Sequence, residues 1–152
     1  MESSVRSFTF NCQSYWSFDI WISIRYCNND KLLTSQIREI IDMRIWDIPA
    51  NKLCTKHLLG EHRELHGLWN ILTQNKSGYS RHPETLRWKG KLAALHLRHE
   101  ELVVEMKKRN YKHKSDLNRV FATGRSIQEK FVDSYDEQLE ILKDKGCKCK
   151  IT

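Results

Sequence analysis

The segment from Asn51 to Leu72 constrains the fold most, because its apolar residues recur at the spacing of one helix face. Side chains three, four and seven positions apart point to the same side of an α-helix. The residues of this seam are Cys54, Leu58, Leu65, Leu68 and Leu72. The pattern predicts an amphipathic helix with Asn51 as its N-cap, ending near Leu72 and burying the seam in a core.

A second stripe lies beside the seam and consists of His57, Glu61 and Glu64, at positions i, i+4 and i+7. Gly60 and Gly67 flank the same face. Glycine destabilises a helix interior by roughly 1 kcal/mol relative to alanine, so two of them predict that something approaches the backbone closely. Two carboxylates and a histidine beside a buried seam indicate a functional site more than a solvated face.

The rest of the chain after residue 73 also favours helices. Residues 73–82 have loop composition, and Pro83 suits a first helical position. From there we predict one continuous helix to about residue 109, with two apolar stripes that place it in the middle of a bundle. One stripe is Leu86, Gly90, Ala93, Leu97 and Val104, and the other is Trp88, Leu92, Leu95, Leu102 and Met106.

Residues 110–125 are polar and predict a connection, after which two capping boxes appear. These are Ser126 with Glu129, and Ser134 with Glu137. The second predicts a last helix that stops at Gly146. The fold class is therefore all-α, a compact bundle of three main helices with an extended N-terminal lead-in that ends at Pro49.

Residues 1–42 have a different pattern. Apolar and polar residues alternate over residues 17–26, as in a strand, and residues 31–42 suit a short helix. No partner strand is evident in the rest of the sequence, and a lone strand leaves its backbone groups unpaired. One interpretation is a genuine N-terminal extension. We favour the other, in which residues 1–42 are non-native or cleaved and residues 43–152 form a single helical domain starting at Met43.

Composition narrows the class of protein. No apolar run reaches the roughly 18 residues that span a membrane, and the five scattered cysteines suggest reduced thiols rather than a disulfide framework. We expect a monomeric cytoplasmic protein. Residues 1–42 hold four basic and five acidic residues, so the remainder holds 22 and 14. This basic excess favours a polyanionic partner and, if that partner is DNA, association with the nucleoid.

Metal binding is not predicted. His62 and His66 are four residues apart, but a zinc-protease motif needs its glutamate directly after the first histidine, and Glu64 faces away from both. His96, His99 and Glu100 could bind a metal, although we interpret these histidines as core or surface residues. Cys147 and Cys149 form one short pair in what we interpret as an exposed tail, and zinc would need two more ligands. The sequence thus predicts no metal and no other cofactor.

Basic residues are spread over the first two predicted helices and their loop. They are Arg44, Lys52, Lys56, Arg63, Lys76, Arg81, Arg87, Lys89 and Lys91. As a group they predict phosphate contacts. Trp46, Tyr79 and Trp88 are interleaved with them and could stack on bases or fill the core, with the core preferred for Trp88.

Three sequence motifs together resemble the pyrimidine-dimer DNA glycosylase family, the phage-type ultraviolet-damage repair enzymes. The motifs are M-R-I-W at residues 43–46, K-H-L-L-G-E-H-R-E-L at residues 56–65 and G-Y-S-R-H-P-E-T-L-R-W at residues 78–88. The resemblance runs from Met43 to about Leu117, and bacterial relatives share the tail up to Cys149.

The resemblance implies specific roles. The family's nucleophile is the α-amino group of the mature N-terminal residue, which the family's spacing puts at Met43 when its essential glutamate is put at Glu64. The same register implies DNA contacts by Arg44, His57 and Arg63. Two features depart from the family: one of its DNA-contacting arginines falls on Gly67, and its aromatic-rich C-terminus is replaced by G-C-K-C-K-I-T.

The functional prediction combines both lines of reasoning. We expect a DNA glycosylase with apurinic/apyrimidinic (AP) lyase activity, an endonuclease acting through an imine on damaged double-stranded DNA, with pyrimidine dimers as the expected lesion. Its catalytic residues would be Met43 and Glu64. Its DNA-binding residues would be Arg44, Lys56, His57, Arg63, Arg81 and Arg87. The alternative is a non-catalytic, basic, helical nucleic-acid-binding protein.

Overall fold

A computed structural model describes residues 43–150, and this part of the chain is helical. Its α-helices are α1 (Thr55–Thr73), α2 (Pro83–Trp88), α3 (Leu92–Lys108) and α4 (Tyr135–Asp144). Short 3₁₀ turns occupy Ala50–Lys52 and Arg119–Phe121. Helices α1, α3 and α4 are the three main helices, as predicted, and residues 43–150 contain no β-strand. The strand and helix predicted within residues 1–42 lie outside the described residues.

Helix α1 begins three residues later than predicted. Asn51 is not its N-cap, because the chain makes a 3₁₀ turn at Ala50–Lys52 and Cys54 takes the cap position without a side-chain hydrogen bond. The apolar seam is confirmed: Leu58, Leu65 and Leu68 are all fully buried. The hydrophobic periodicity therefore predicted the helix and its buried face, but not its first residue.

The predicted second helix is interrupted. Helix α2 ends at Trp88 and α3 starts at Leu92, because Gly90 adopts a positive φ of 75° that turns the chain. The turned carbonyl of Gly90 accepts a hydrogen bond from Arg125 N at 3.1 Å. Gly124 packs so closely here that a Cβ would lie 2.1 Å from the Gly90 oxygen.

The same connection caps the start of α3. Carbonyl oxygens of Thr123 and Arg125 accept hydrogen bonds from Ala93 N at 2.9 Å and Ala94 N at 3.1 Å. Helix α3 has no side-chain cap, so these backbone carbonyls satisfy two of its unpaired N–H groups. The sequence signal for this long-range cap is only the glycine.

The prediction of two buried faces on the second helix is wrong for one of them. Leu95, Leu102 and Met106 are buried in the core. On the other stripe, Leu97 and Val104 are each more than half exposed. Helix α3 thus packs against α1 on one side and faces outward on the other.

One of the two predicted capping boxes is confirmed. The Ser134 hydroxyl accepts from Glu137 N while the Glu137 carboxylate accepts from Ser134 N, and α4 begins at Tyr135. Ser126 starts no helix, so that prediction is wrong. Helix α4 ends just before Gly146, which has a φ of 57°. No helix within residues 43–150 is long and apolar enough to cross a membrane.

Candidate functional site

The lead-in, residues 43–49, is fixed by a buried carboxylate. Glu84 Oε1 accepts from Ile45 N at 3.2 Å, from Arg87 Nε at 2.8 Å and from Trp88 Nε1 at 3.0 Å. Arg87 Nη2 in turn donates to the Ile45 carbonyl at 2.6 Å. Burial raises the pKa of Glu84, and the Arg87 charge opposes that rise. Side chains of helix α2 therefore hold the lead-in in place.

A second anchor comes from α4. Gln138 Oε1 accepts from Asp47 N at 2.8 Å, and Gln138 Nε2 donates to the Asp47 carboxylate at 2.9 Å. Arg87 Nη1 reaches the same carboxylate at 2.9 and 3.0 Å. With Ile45, Trp46 and Ile48 all buried, the backbone between Met43 and Pro49 has little freedom to move.

Several charged or polar side chains contact the ring of Trp46 in the lead-in. The Arg44 guanidinium lies 5.1 Å from its ring centroid, and Lys145 Nζ lies 5.8 Å from it. His57 packs edge-on at 5.6 Å. Arg44 also pairs with Asp133. The structure thus brings Arg44 and His57 around one tryptophan, while Met43 is half-buried against the core.

The helix face predicted from His57, Glu61 and Glu64 is divided between two environments. Glu61 is buried and forms a bidentate pair with Arg98, at 2.7 and 3.0 Å. Burial raises the pKa of Glu61 to about 7, against the opposing charge of Arg98. Arg98 also donates to the Ile48 carbonyl at 2.8 Å, so Glu61 belongs to the core. Glu64, the predicted catalytic glutamate, is only half-buried.

A stripe of basic and small residues covers the outer side of α1. Lys56, Gly60, Arg63 and Gly67 are all exposed and are spaced four, three and four apart, which places them on one face. Apart from the adjacent helix backbone, a Cβ at either glycine would meet nothing in the described chain within 4 Å. No packing among residues 43–150 requires glycine at either position. We call these four residues the α1 stripe.

The remaining predicted DNA contacts differ in exposure. Arg81 is exposed in the α1–α2 loop. Arg87 is only 5% exposed and bonds to Glu84, Asp47 and Ile45, so its place is in support of the lead-in rather than on phosphate. Of the three interleaved aromatic residues, Trp46 and Trp88 are core, whereas Tyr79 is 61% exposed.

Four potential metal ligands meet where the tail returns to the start of α1. Cys54 Sγ lies 3.2 Å from His57 Nδ1, which lies 3.3 Å from Cys149 Sγ. With Cys147 they form a group whose ligand atoms are all within 4.8 Å of one another. Cys147 and Cys149 are half-buried against the core, so the prediction of an exposed tail is wrong. We call this group the Cys₃His cluster.

Four histidines form a second group, between α1, α3 and the segment after α3. His62 Nε2 lies 3.3 Å from His66 Nε2 and 3.1 Å from His113 Nε2, and His99 completes the group. Burial and the neighbouring histidines lower the pKa of His62 to about 4. Burial also lowers the pKa of His66 and of His99, which favours the neutral form of these two rings. We call this group the His₄ cluster.

Sequence reasoning missed both clusters. The available signal was the pairing of Cys54-x-x-His57 with Cys147-x-Cys149, two short ligand pairs separated by some 90 residues. The second signal was His62-x-x-x-His66, a spacing that puts both rings on one helix face. Neither pair reveals its partners without the fold.

The fold and these sites define a helical protein with a basic outer face and an anchored lead-in. Comparison with protein-family models matches residues 43–119 to pyrimidine dimer DNA glycosylase, which is half of the chain. The chain belongs to that family, as its motifs predicted, and this assigns it a glycosylase-type function in DNA repair at family level. No curated protein and no solved structure matched the sequence.

Proposed function

We propose that this protein is a DNA glycosylase with AP lyase activity on damaged double-stranded DNA, with pyrimidine dimers as the lesion. The nucleophile is the α-amino group of Met43. Membership of the family, through a match that begins at Met43, carries the proposal. The anchored lead-in supports it, because a nucleophile must be held in position to attack efficiently.

The chemistry follows from the amine. An α-amine has a pKa of about 7.7–8.0, against about 10.4 for lysine, so much more of it is free base at neutral pH. Its nitrogen attacks C1′ of the damaged nucleotide, and the base leaves with the electron pair of the glycosidic bond and gains a proton. The sugar ring then opens to an imine between the nitrogen and C1′.

Strand cleavage needs no further reagent. The cationic imine acidifies the C2′ hydrogen, and its removal as a proton expels the 3′ phosphate by β-elimination. Glu64 is the group we assign to these proton transfers and to stabilising the cationic sugar. Its half-buried position on α1 leaves the carboxylate accessible to a bound substrate.

The proposal requires Met43 to be the terminal residue in the active protein. An internal Met43 contributes an amide nitrogen, which is not nucleophilic. Residues 1–42 are therefore absent from the active form, through an initiation site at Met43 or through cleavage.

The DNA-binding surface in this proposal is the α1 stripe together with the α1–α2 loop. Lys56 and Arg63 contact phosphates, and the two glycines let the DNA backbone approach the helix. Arg81 adds a phosphate contact from the loop, where exposed Tyr79 can stack on an unpaired base. Arg44 and His57 lie around Trp46 and face the phosphate of the damaged nucleotide.

Borohydride trapping on abasic and ultraviolet-irradiated duplexes tests the chemistry, since it links only imine-forming enzymes to DNA. Two forms of the chain are compared, residues 1–152 and residues 43–152. We expect trapping with the shorter form only. Equal trapping by a longer form that stays uncleaved would identify a lysine as the nucleophile, and trapping by neither would favour a non-catalytic DNA-binding protein.

Glu64→Gln in the shorter form tests the second catalytic residue. We expect it to abolish turnover while the dissociation constant for damaged DNA stays within about twofold. A parallel loss of binding and turnover would contradict the role assigned to Glu64. Reductive methylation of the terminal amine is the matched control for Met43, because it should abolish trapping without changing binding.

A further inference from the structure

We propose that the Cys₃His cluster is a structural zinc site that fastens the tail to the start of α1. Three thiols and one imidazole are a donor set that proteins use for structural zinc, and it leaves no position open for a substrate. Zinc would bind His57 through Nδ1, so this structural site shares His57 with the proposed DNA-binding surface.

The geometry agrees with one shared ion. Tetrahedral zinc with bonds of about 2.3 Å to sulfur and about 2.0 Å to nitrogen separates its ligand atoms by roughly 3.4–3.8 Å. In the cluster, His57 Nδ1 lies 3.2 and 3.3 Å from two sulfur atoms, and every pair of ligand atoms is within 4.8 Å. Small adjustments of the side chains would bring all four atoms to bonding distance.

Hydrogen bonds from the backbone also join the two segments that supply the ligands. Cys54 N donates to Cys149 Sγ at 3.1 Å, and Lys150 N donates to the Lys52 carbonyl at 2.7 Å. The tail thus pairs with the segment just before α1 in addition to bringing in its two thiols. Backbone N–H groups that donate to ligand atoms are among the outer contacts that orient the ligands of metal sites.

Metal analysis of the purified full chain gives the test. We expect zinc to remain bound through dialysis and to be released when an organomercurial titrates the thiols. Cys149→Ser and Cys147→Ser should each remove that thiol-released zinc. The matched control is Cys12→Ser/Cys27→Ser, which changes the two cysteines that precede Met43 in the sequence and should retain the zinc.

Cobalt substitution provides a readout that does not depend on folding yield or activity. Cobalt in the cluster should give thiolate-to-metal charge-transfer absorption and the intense visible bands of tetrahedral coordination. Full chain with no thiol-released zinc and no such absorption would overturn the proposal. So would a disulfide among these cysteines, seen as a mass lower by two hydrogens. Neither result bears on imine trapping.

A different observation carries a second metal site, in the His₄ cluster. His99 is fully buried and its Nε2 has no hydrogen-bond partner among the described residues. A neutral imidazole nitrogen offers either one hydrogen or one lone pair, so His62 Nε2 cannot form full hydrogen bonds to both of its close neighbours. One divalent transition-metal ion, which we take to be zinc, would bind all four nitrogens.

The opposite ring nitrogens support this assignment. His99 Nδ1 lies 3.0 Å from the Glu100 carboxylate, and His113 Nδ1 lies 3.4 Å from Asp116. Carboxylates in this position hold metal-binding histidines in the required tautomer. The Nε2–Nε2 distances of 3.1 and 3.3 Å are also close to the roughly 3.3 Å edge of a tetrahedral zinc–nitrogen site.

Variants separate this site from the first. We expect two zinc ions in the full chain, and His113→Ala should lose one that organomercurial does not release. Cobalt at this site should lack charge-transfer absorption, because it has no thiolate. His96→Ala is the matched control, since His96 is on α3 near His99 but outside the cluster. A metal content unchanged by His113→Ala would overturn the His₄ site.

Discussion

Two glutamates on α1, three residues apart, have different physical tasks. Glu61 is buried on α1 and accepts from Arg98 of α3, and Arg98 also donates to the lead-in carbonyl of Ile48. Glu64 is half-buried and is the residue we assign to proton transfer. One turn of helix thus separates a structural ion pair from the proposed chemistry.

This difference predicts a large loss of stability when Glu61 is replaced and almost none when Glu64 is replaced. Glu61→Leu should lower the free energy of unfolding by about 3–5 kcal/mol, because it leaves the Arg98 charge buried without its main partner. Glu64→Gln should change it by less than about 0.5 kcal/mol. Urea denaturation measures both.

The double variant Glu61→Leu/Arg98→Met is the control for this interpretation. Replacing a buried ion pair by apolar residues of similar size is often neutral, so most of the lost stability should return. If the double variant is as unstable as Glu61→Leu, then an unpaired Arg98 charge is not the cause of the lost stability.

Among the helices, α1 has two glycines, which are poor helix formers, at exposed positions of the α1 stripe. Gly60→Ala and Gly67→Ala should each raise the free energy of unfolding by about 1 kcal/mol, because nothing in the described chain opposes the added Cβ. If the DNA backbone approaches here, the same changes should weaken binding of damaged duplex. Urea denaturation measures the gain in stability, and fluorescence anisotropy measures the loss of DNA affinity.

Val104→Ala is the matched control for the glycine variants, since Val104 is an exposed residue of α3 and its replacement also improves helix propensity. It should leave DNA affinity unchanged. Tighter or unchanged DNA binding by Gly60→Ala and Gly67→Ala would exclude close backbone approach along this face.

The elements show which parts of the fold the sequence encodes locally. The seam of α1 and the Ser134 capping box were predictable, because both depend on residues within two turns of each other. The break at Gly90 was not, because it depends on a hydrogen bond from Arg125. The Cys₃His and His₄ clusters were missed for the same reason, because only the fold makes residues such as Cys54 and Cys149 neighbours.

For the molecule as a whole, charge should govern its affinity for DNA. Each phosphate contact contributes about 0.9 to the slope of log affinity against log salt concentration. Lys56→Gln/Arg63→Gln should therefore reduce that slope by about 2. Lys143→Gln on α4 is the control for a lost surface charge. An unchanged slope in the double variant would place the DNA elsewhere.

The return of the tail to the start of α1 has a consequence for the order of folding. Cys147 and Cys149 leave the ribosome long after Cys54, so the Cys₃His cluster cannot form while the helices are being synthesised. Once formed, it would join residues 95 positions apart, and a cross-link over about 100 residues removes considerable freedom from the unfolded chain. The domain would then mature in two stages, with helix packing first and a metal-dependent lock afterwards.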